Sequence, residues 1–380
     1  MERRAIGAGA LRVGAVGLGC MPMSWAYTGS QQRGDRSLRT VHAALDAGCT
    51  LLDTADVYGP FTNELLIGRA LKGRRRDAFV STKVGLLAGD QHAVANGRPG
   101  YVKRACDASL RRLGTDVIDL YQLHRADPEV PVEETWGAMA ELVGAGKVRA
   151  LGVCAVGAPR GAARAGSVRG GTGQGAVGPD RAVPGVPGQG DASGAARGPR
   201  RSGAGPVRGV RASEYLYEGT IRQLERLQQV FPVSAVQAEL SVWSPEALER
   251  LLPWCGARGV GFLAAMPLGN GFLTGTLTPG QGFEPDDLRA HHPRFTAEMM
   301  AANQPLVAGL RRVAARHGPA ITPAQVALAW VLRQGPQVVV VPGTKRPEWA
   351  RENAAAVDVG LSDHDVSEIA RLPDALGSWD

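Results

Sequence analysis

The feature that most constrains this 380-residue chain is an alternation of two kinds of segment. Short runs rich in β-branched and other apolar residues take turns with longer stretches of helical period. The strand-like runs are Ala15–Cys20, Thr50–Asp56, Ala78–Val84, Val117–His124, Val148–Val153, Ala235–Leu240, Val260–Met266 and Val338–Pro342. Several are almost continuously apolar, as parallel strands covered on both faces require. Between them lie helix candidates: Leu38–Ala47 before Gly48, Asn63–Lys72 capped by Thr62, Tyr101–Leu113 before Gly114 and Val132–Ala145 before Gly146. Glu218–Val230, Pro245–Arg258 before Gly259, Ala302–His317 before Gly318, and Pro323–Arg333 capped by Thr322 complete the set. Glycine tolerates the left-handed conformation that ends a helix, and a threonine cap or a first-turn proline deals with the unpaired N–H groups at its start. Eight strands, each followed by a helix, is the count of a (β/α)8 barrel. A doubly wound sheet is the alternative. Against it, no strand–GxGxxG–helix fingerprint opens the chain, and Gly17-Leu18-Gly19 alone does not supply one.

One segment breaks the alternation. Residues 154–212 contain no Leu, Ile, Met, Phe, Tyr, Trp, Lys or Glu and consist mostly of Ala, Gly, Arg, Pro, Val and Ser. Such a stretch buries too little apolar surface to offset the entropy of ordering it. The expectation is a single barrel domain over 1–380, carrying 154–212 as a disordered or aberrant insertion after the fifth strand. Its residue types are those of GC-rich codons, so it reads either as translated non-coding or out-of-frame sequence or as a true flexible basic loop. The segment also explains the charge: its nine Arg and two Asp carry the whole formal net charge of +7. A basic face for nucleic acid is therefore not expected, and no aromatic residues interleave the arginines.

No run approaches the about 18 apolar residues of a membrane span, and the N-terminus lacks a signal-type apolar core, so a cytoplasmic protein is expected. The five cysteines, Cys20, Cys49, Cys106, Cys154 and Cys255, are scattered and form no C-x-x-C pair. They read as small packing residues rather than as a disulfide framework or a zinc site.

In a barrel of this kind, chemistry gathers at the C-terminal ends of the strands. The second candidate strand ends in Leu52-Asp53-Thr54-Ala55, with Tyr58 five residues beyond Asp53; the third ends in Ser81-Thr82-Lys83; the fourth ends in Tyr121-Gln122-Leu123-His124. Three successive strand ends thus bring Asp, Tyr, Lys and His to one side of one mouth. Reducing a carbonyl requires a hydride for carbon and a proton for oxygen. A tyrosine keeps its proton at neutral pH, and a nearby ammonium makes that proton easier to give. An aspartate would hold the lysine charged, and a histidine would donate to the substrate oxygen.

These segments resemble those of the aldo-keto reductases, in their usual order, and the resemblance covers about 320 of the 380 residues. It implies Tyr58 as proton donor, Lys83 and Asp53 as its tuning pair, and His124 as the group that orients the carbonyl. It also implies NADPH as cofactor, without a metal. Gln237, in Ala235-Val236-Gln237-Ala238-Glu239, resembles the residue that binds the nicotinamide carboxamide. The stretch Pro267-Leu268-Gly269-Asn270-Gly271-Phe272 resembles the loop over the pyrophosphate. Gly343, Thr344, Lys345 and Arg346, followed by Glu352 and Asn353, resemble the adenosine end, where the two cations favour a 2′-phosphate. Met23 and Trp25 are expected on the substrate side.

The sequence departs from the family at the end of the fifth strand, where a Ser and a polar residue usually touch the carboxamide. Here Val153 runs into the insertion, and Ser213-Glu214 on its far side look like the displaced pair. Either Ser213 returns to that place or Cys154-Ala155 replace it. Ala265 stands where an aromatic residue often stacks on the nicotinamide, and Trp349 where an arginine is often found. The expected function is reduction of a small-molecule aldehyde or ketone. A cofactor-binding regulatory barrel and an impaired reductase are the rivals, and the oligomeric state is not legible.

Overall fold

The computed structural model describes residues 1–9, 11–27, 29, 34–88, 93–155 and 217–377. Eight strands form one sheet: β1 (Leu18–Gly19), β2 (Leu51–Asp53), β3 (Phe79–Val84), β4 (Ile118–Leu123), β5 (Val148–Cys154), β6 (Ala235–Glu239), β7 (Gly261–Ala265) and β8 (Val338–Val340). Neighbours in the chain are neighbours in the sheet, and every pairing between them is parallel. Parallel bridges Val16–Val340 and Gly19–Gly343 join the two edges, and Gly17 N–H donates to the Val340 carbonyl at 2.8 Å. The sheet is thus closed on itself, as the eightfold alternation predicts.

Alternation along the strands sorts the interior into layers, because successive side chains point to opposite faces. Leu51, Phe79, Leu120, Ala150, Ala235, Leu263 and Val339 form an inner apolar cluster with Ile6 and Val13. Ile6 and Val13 belong to an N-terminal hairpin, Arg3–Ala5 paired with Arg12–Gly14, that closes this end of the barrel. Arg4 locks the hairpin by donating to the carbonyls of Leu332, Gly335 and Val338 at 2.9, 3.0 and 2.6 Å. Two residues further along the same strands, the inward positions become Asp53, Ser81, Gln122, Gly152 and Gln237. The barrel is therefore apolar at its base and polar toward the C-terminal ends of its strands.

The helices relevant to the site are α1 (Gly34–Asp46), α2 (Thr62–Ala70), α3 (Pro99–Leu113), α4 (Val132–Gly144) and α5 (Glu218–Val230). Beyond them come α6 (Leu251–Ala257), α7 (Ala297–Ala302), α8 (Gln304–His317), α9 (Pro323–Leu332), α10 (Pro347–Ala354) and α11 (Asp363–Ala370). Their apolar faces and the outward strand residues form the larger core. Thr322 caps α9 in a reciprocal capping box with Gln325, as expected.

Other boundaries differ from the sequence reading. Thr62 is the first residue of α2 rather than its cap; its hydroxyl donates to the Gly59 carbonyl, and Phe61 takes the cap position at φ +68°. Pro253 and Pro305 lack an N–H and suit only a first helical turn. The expected helix 245–258 therefore divides into a 3-10 turn, Glu246–Leu248, and α6, while 302–317 begins at Gln304 after the separate α7. Helices α10 and α11 and the hairpin Leu86–Ala88 with Ala93–Ala95 were not anticipated. Among the described residues, no helix is long and apolar enough to cross a membrane. All five cysteines are buried.

Candidate active site

The sequence expects Asp53, Tyr58, Lys83 and His124 on one side of the mouth, and the fold brings them together. Strands β2 and β3 pair so that Asp53 lies opposite Ser81, which turns Lys83, two residues on, into the same interior. The Lys83 Nζ lies 2.7 Å from Asp53 Oδ2, 2.9 Å from the Thr54 carbonyl and 3.4 Å from the Tyr58 hydroxyl. All four groups are buried. The His124 ring meets the Tyr58 ring edge-on, with centroids 6.0 Å apart, and Trp25 covers another side of Tyr58 at 5.5 Å.

Asp53 is the hub of this arrangement. Besides the ammonium, it accepts Ser81 Oγ at 3.0 Å, Gln122 Nε2 at 3.2 Å and Gln237 Nε2 at 2.9 Å. Gln122 also donates to Ser81 Oγ at 2.8 Å. A buried carboxylate is expensive unless it is paired and hydrogen-bonded, and this one is both. The contributions of Ser81 and Gln122 went unrecognised in the sequence. The signal was present in the strand alternation, which places both in the same inward layer as Asp53.

The protonation states follow from burial and charge. Burial pushes the Tyr58 phenol up to about 12, while Lys83 pulls it back. Tyr58 therefore holds its proton at neutral pH beside a fixed cation. Burial works against the Lys83 ammonium, but Asp53 prevails, and its pKa lies above the usual lysine range. Burial holds His124 well below the ordinary imidazole range, with the Lys83 and Arg125 cations adding to the effect. Its ring is neutral at pH 7, and its buried Nδ1 has no hydrogen-bond partner among the described residues.

The residues expected around a cofactor fall at the same mouth. Gln237 ends on Asp53, as above. After β7, Pro267 and Leu268 lead into a turn in which Gly269, Asn270 and Gly271 take φ of +54°, +52° and +94°. A Cβ on Gly269 would stand 2.5 Å from the Trp243 ring, so only glycine fits. The Tyr27 hydroxyl donates to Asn270 Oδ1 at 2.9 Å, and Arg289 Nη1 approaches the Asn270 carbonyl at 3.4 Å. The Lys345 Nζ donates to the Tyr27 carbonyl at 3.2 Å, tying the loop after β8 to the loop after β1. Arg346 stacks on Trp349 at 4.4 Å. Gly343 closes the barrel against Gly19, and Thr344 Oγ1 accepts the Arg346 N–H at 3.1 Å. Glu352 accepts the Thr322 hydroxyl at 2.7 Å, and Asn353 is buried.

One expected position falls elsewhere, and one is not described. Met23 lies in the core between strands and helices, whereas Met21 packs with Trp25 against the cluster of Ala55, Val57 and Tyr58. Ser213 lies outside the described residues. Strand β5 continues through Cys154, which pairs in register with Gln237, and Ala155 N–H donates to the Gln237 carbonyl at 2.7 Å. Cys154 and Ala155 thus follow Val153 directly at the mouth.

A closed parallel barrel whose mouth holds a buried phenol against a lysine–aspartate pair, with a neutral histidine beside it, defines a (β/α)8 site built for moving a proton. The model of the aldo/keto reductase family matches residues 15–165 and 204–374, and the chain belongs to that family. Among similar proteins, an aldo-keto reductase of Schizosaccharomyces pombe, yakc, named with NADP(+), is 34% identical over 96% of this chain and 93% of its own. A probable aldo-keto reductase of Glycine max is 33% identical over 96% of this chain and 86% of its own. The solved glycerol dehydrogenase of Gluconobacter oxydans superposes with a TM-score of 0.70 at 25% identity, covering 97% of this chain and 94% of its own.

Proposed function

We propose that the protein reduces an aldehyde or ketone to the alcohol with NADPH, reversibly, and that Tyr58, Lys83, Asp53 and His124 carry out the protein's part of the chemistry. The observation that carries this reading is the single Lys83 ammonium held between Asp53 and Tyr58. NADPH, when bound, supplies the hydride. Tyr58 holds the proton destined for the carbonyl oxygen. As that oxygen gains charge, Lys83 stabilises the phenolate left behind, and Asp53 keeps Lys83 charged and aimed. His124, neutral and with an unengaged nitrogen, donates to the same oxygen and orients it. Trp25, with Met21 beside it, walls the substrate side and limits access of water.

The residues at the mouth suit a dinucleotide. In the turn Gly269-Asn270-Gly271 the Gly269 and Gly271 N–H groups are bonded to the Met266 and Leu268 carbonyls, while Asn270 Nδ2, buried without a partner among the described residues, is a donor for a phosphate. Lys345 and Arg346 supply cations for a 2′-phosphate, which favours NADPH over NADH. Pro267, Leu268, Gly343, Thr344, Glu352 and Asn353 complete the binding surface, and the fission-yeast relative bears NADP(+) in its name. Gln237 would turn from Asp53 toward the carboxamide, and Cys154 or Ser213 would sit beside it. The two stretches matched by the family model leave 166–203 between them, which supports one barrel domain carrying the 154–212 segment as an insertion.

The test is NADPH consumption by the full-length chain with a panel of aromatic aldehydes, alongside Tyr58→Phe. Turnover that falls about a hundredfold or more in the variant, with NADPH binding retained, is the expected result. Tight NADPH binding without turnover in either protein would point instead to a regulatory barrel.

A further inference from the structure

A second polar cluster lies on the helix side of β3. The alternation that turns Ser81 and Lys83 inward turns Thr82 outward, and its hydroxyl donates to Glu64 Oε1 at 2.7 Å. Glu64, fully buried on α2, also accepts Arg112 Nε from α3 at 2.7 Å, and Arg112 spends a further N–H on Ser109 Oγ at 3.1 Å. Asp56 stands in the same layer and is 2% exposed. Its N–H donates to the Lys83 carbonyl at 3.3 Å, and its carbonyl accepts the Phe61 N–H at 2.9 Å, which fixes it two residues before Tyr58. The buried Asp56 Oδ1 has no hydrogen-bond partner among the described residues. The charged and titratable groups facing Asp56 are Glu64 from α2, Arg112 and Tyr101 from α3, Lys83 from β3 and Tyr121 from β4. Two carboxyls thus confront one guanidinium, and that guanidinium is bonded to Glu64.

We propose that Asp56 is a positioning residue whose protonation state, acting from behind Lys83 and the Tyr58 loop, sets how readily Tyr58 gives up its proton. Burial, reinforced by the Glu64 carboxylate, raises its carboxyl to about 7, so its charge changes in the neutral range. An anion at this point opposes formation of the Tyr58 phenolate. Protonated Asp56 therefore favours carbonyl reduction, and ionised Asp56 slows it. The inference rests on the reductase reading given above.

The experiment compares kcat against pH for the wild type, Asp56→Asn and Tyr101→Phe, with an infrared titration of carboxyl groups in the wild type and Asp56→Asn. The wild-type kcat should fall about three- to tenfold as pH rises through neutrality, while Asp56→Asn, which resembles the protonated acid, keeps its acid-side rate. Tyr101→Phe removes a hydroxyl facing the carboxyl and should move the inflection to higher pH. Superimposable kcat profiles for the wild type and Asp56→Asn overturn the proposal. Should Asp56→Asn fail to fold, the other two readouts decide. An inflection unmoved in Tyr101→Phe, or the lack of a protonated-carboxyl band that fades through neutral pH in the wild type, overturns it equally. A wild type inactive at every pH is a distinct failure that removes the reductase reading and the kinetic proposal with it. An active wild type with superimposed profiles removes the proposal alone.

Discussion

The Lys83 ammonium sits 2.7 Å from the Asp53 carboxylate and 3.4 Å from the Tyr58 hydroxyl, so one buried cation serves an ionised acid and a protonated one at once. The pairing is asymmetric because Asp53 accepts three further donors, Ser81, Gln122 and Gln237. The ammonium is thereby anchored, and its remaining field falls on the phenol.

That asymmetry predicts the behaviour of Lys83→Met. Removing one partner of a buried ion pair leaves the other charge uncompensated, at a cost of about 3–5 kcal/mol. The neutral donors around Asp53 soften this loss without abolishing it. The variant should therefore unfold at a clearly lower temperature and lose turnover about a hundredfold or more. Thermal unfolding and NADPH oxidation measure the two effects; a variant as stable and as active as the wild type would contradict the reading of the pair.

His124 and Asp56 predict opposite slopes of stability against pH. The folded state keeps His124 neutral below the ordinary imidazole value of 6.5, where the unfolded chain binds a proton. By linkage its contribution is intact above that value and is lost as pH falls below it. Asp56 is the reverse: the folded state holds its proton up to about 7, against 3.8 unfolded, so its contribution is present at low pH and is lost as pH rises between those values. In the overlapping acid window, relative to the wild type, His124→Gln should tilt the stability curve downward with rising pH. Asp56→Asn should tilt it upward, each by at most about 1.4 kcal/mol per pH unit. Urea unfolding at several pH values measures this; parallel curves for all three proteins would rule it out.

Gly269→Ala tests the turn after β7. Its φ of +54° already disfavours a side chain, and the added carbon would stand 2.5 Å from the Trp243 ring. A left-handed non-glycine residue costs about 1–2 kcal/mol before any clash. The turn must shift, so the Kd for NADPH should rise about tenfold or more, while the Asp53–Lys83–Tyr58 group stays in place. A fluorescence titration with NADPH reads the affinity, and kcat at saturating cofactor reads the chemistry. An unchanged Kd would separate this turn from the cofactor.

How much of this was legible depended on what each residue must do locally. The barrel strands are continuous β-branched runs such as Val338–Val340, and those runs survive in a single sequence because both faces are buried. The catalytic candidates stood out because they are polar residues at the ends of apolar strands, where only function or a partner accounts for them. The N-terminal hairpin escaped notice because three-residue strands carry no period. The helix breaks at Arg250 and Asn303 lie just before prolines, which mark a first turn only once the preceding turn is seen to end. Met21 and Met23 lie on one short 3-10 turn, and spacing alone gives no reason to choose Met21 as the one packed on the cluster of Ala55, Val57 and Tyr58. The Asp56–Glu64–Arg112 layer was invisible for another reason: its members come from a loop and two helices, and only the packing of α2 and α3 on β3 brings them together.

Thr322 joins the framework to the far end of the proposed cofactor surface. Its hydroxyl accepts the Gln325 N–H at 3.2 Å as the α9 cap and donates to Glu352 Oε1 at 2.7 Å. Thr322→Ala removes both bonds, and loss of a cap of this type costs about 1 kcal/mol. In a chain of this size that corresponds to a fall in Tm of roughly 2 °C. Release of Glu352 should in addition raise the Kd for NADPH, by a few-fold at most, since the carboxylate loses orientation rather than disappearing. Thr322→Ser retains the hydroxyl and should restore both values. A Tm that falls while the Kd stays constant would leave Glu352 with a purely structural part in joining α9 to α10, and the adenosine end of the cofactor would then have to lie against Lys345 and Arg346 alone.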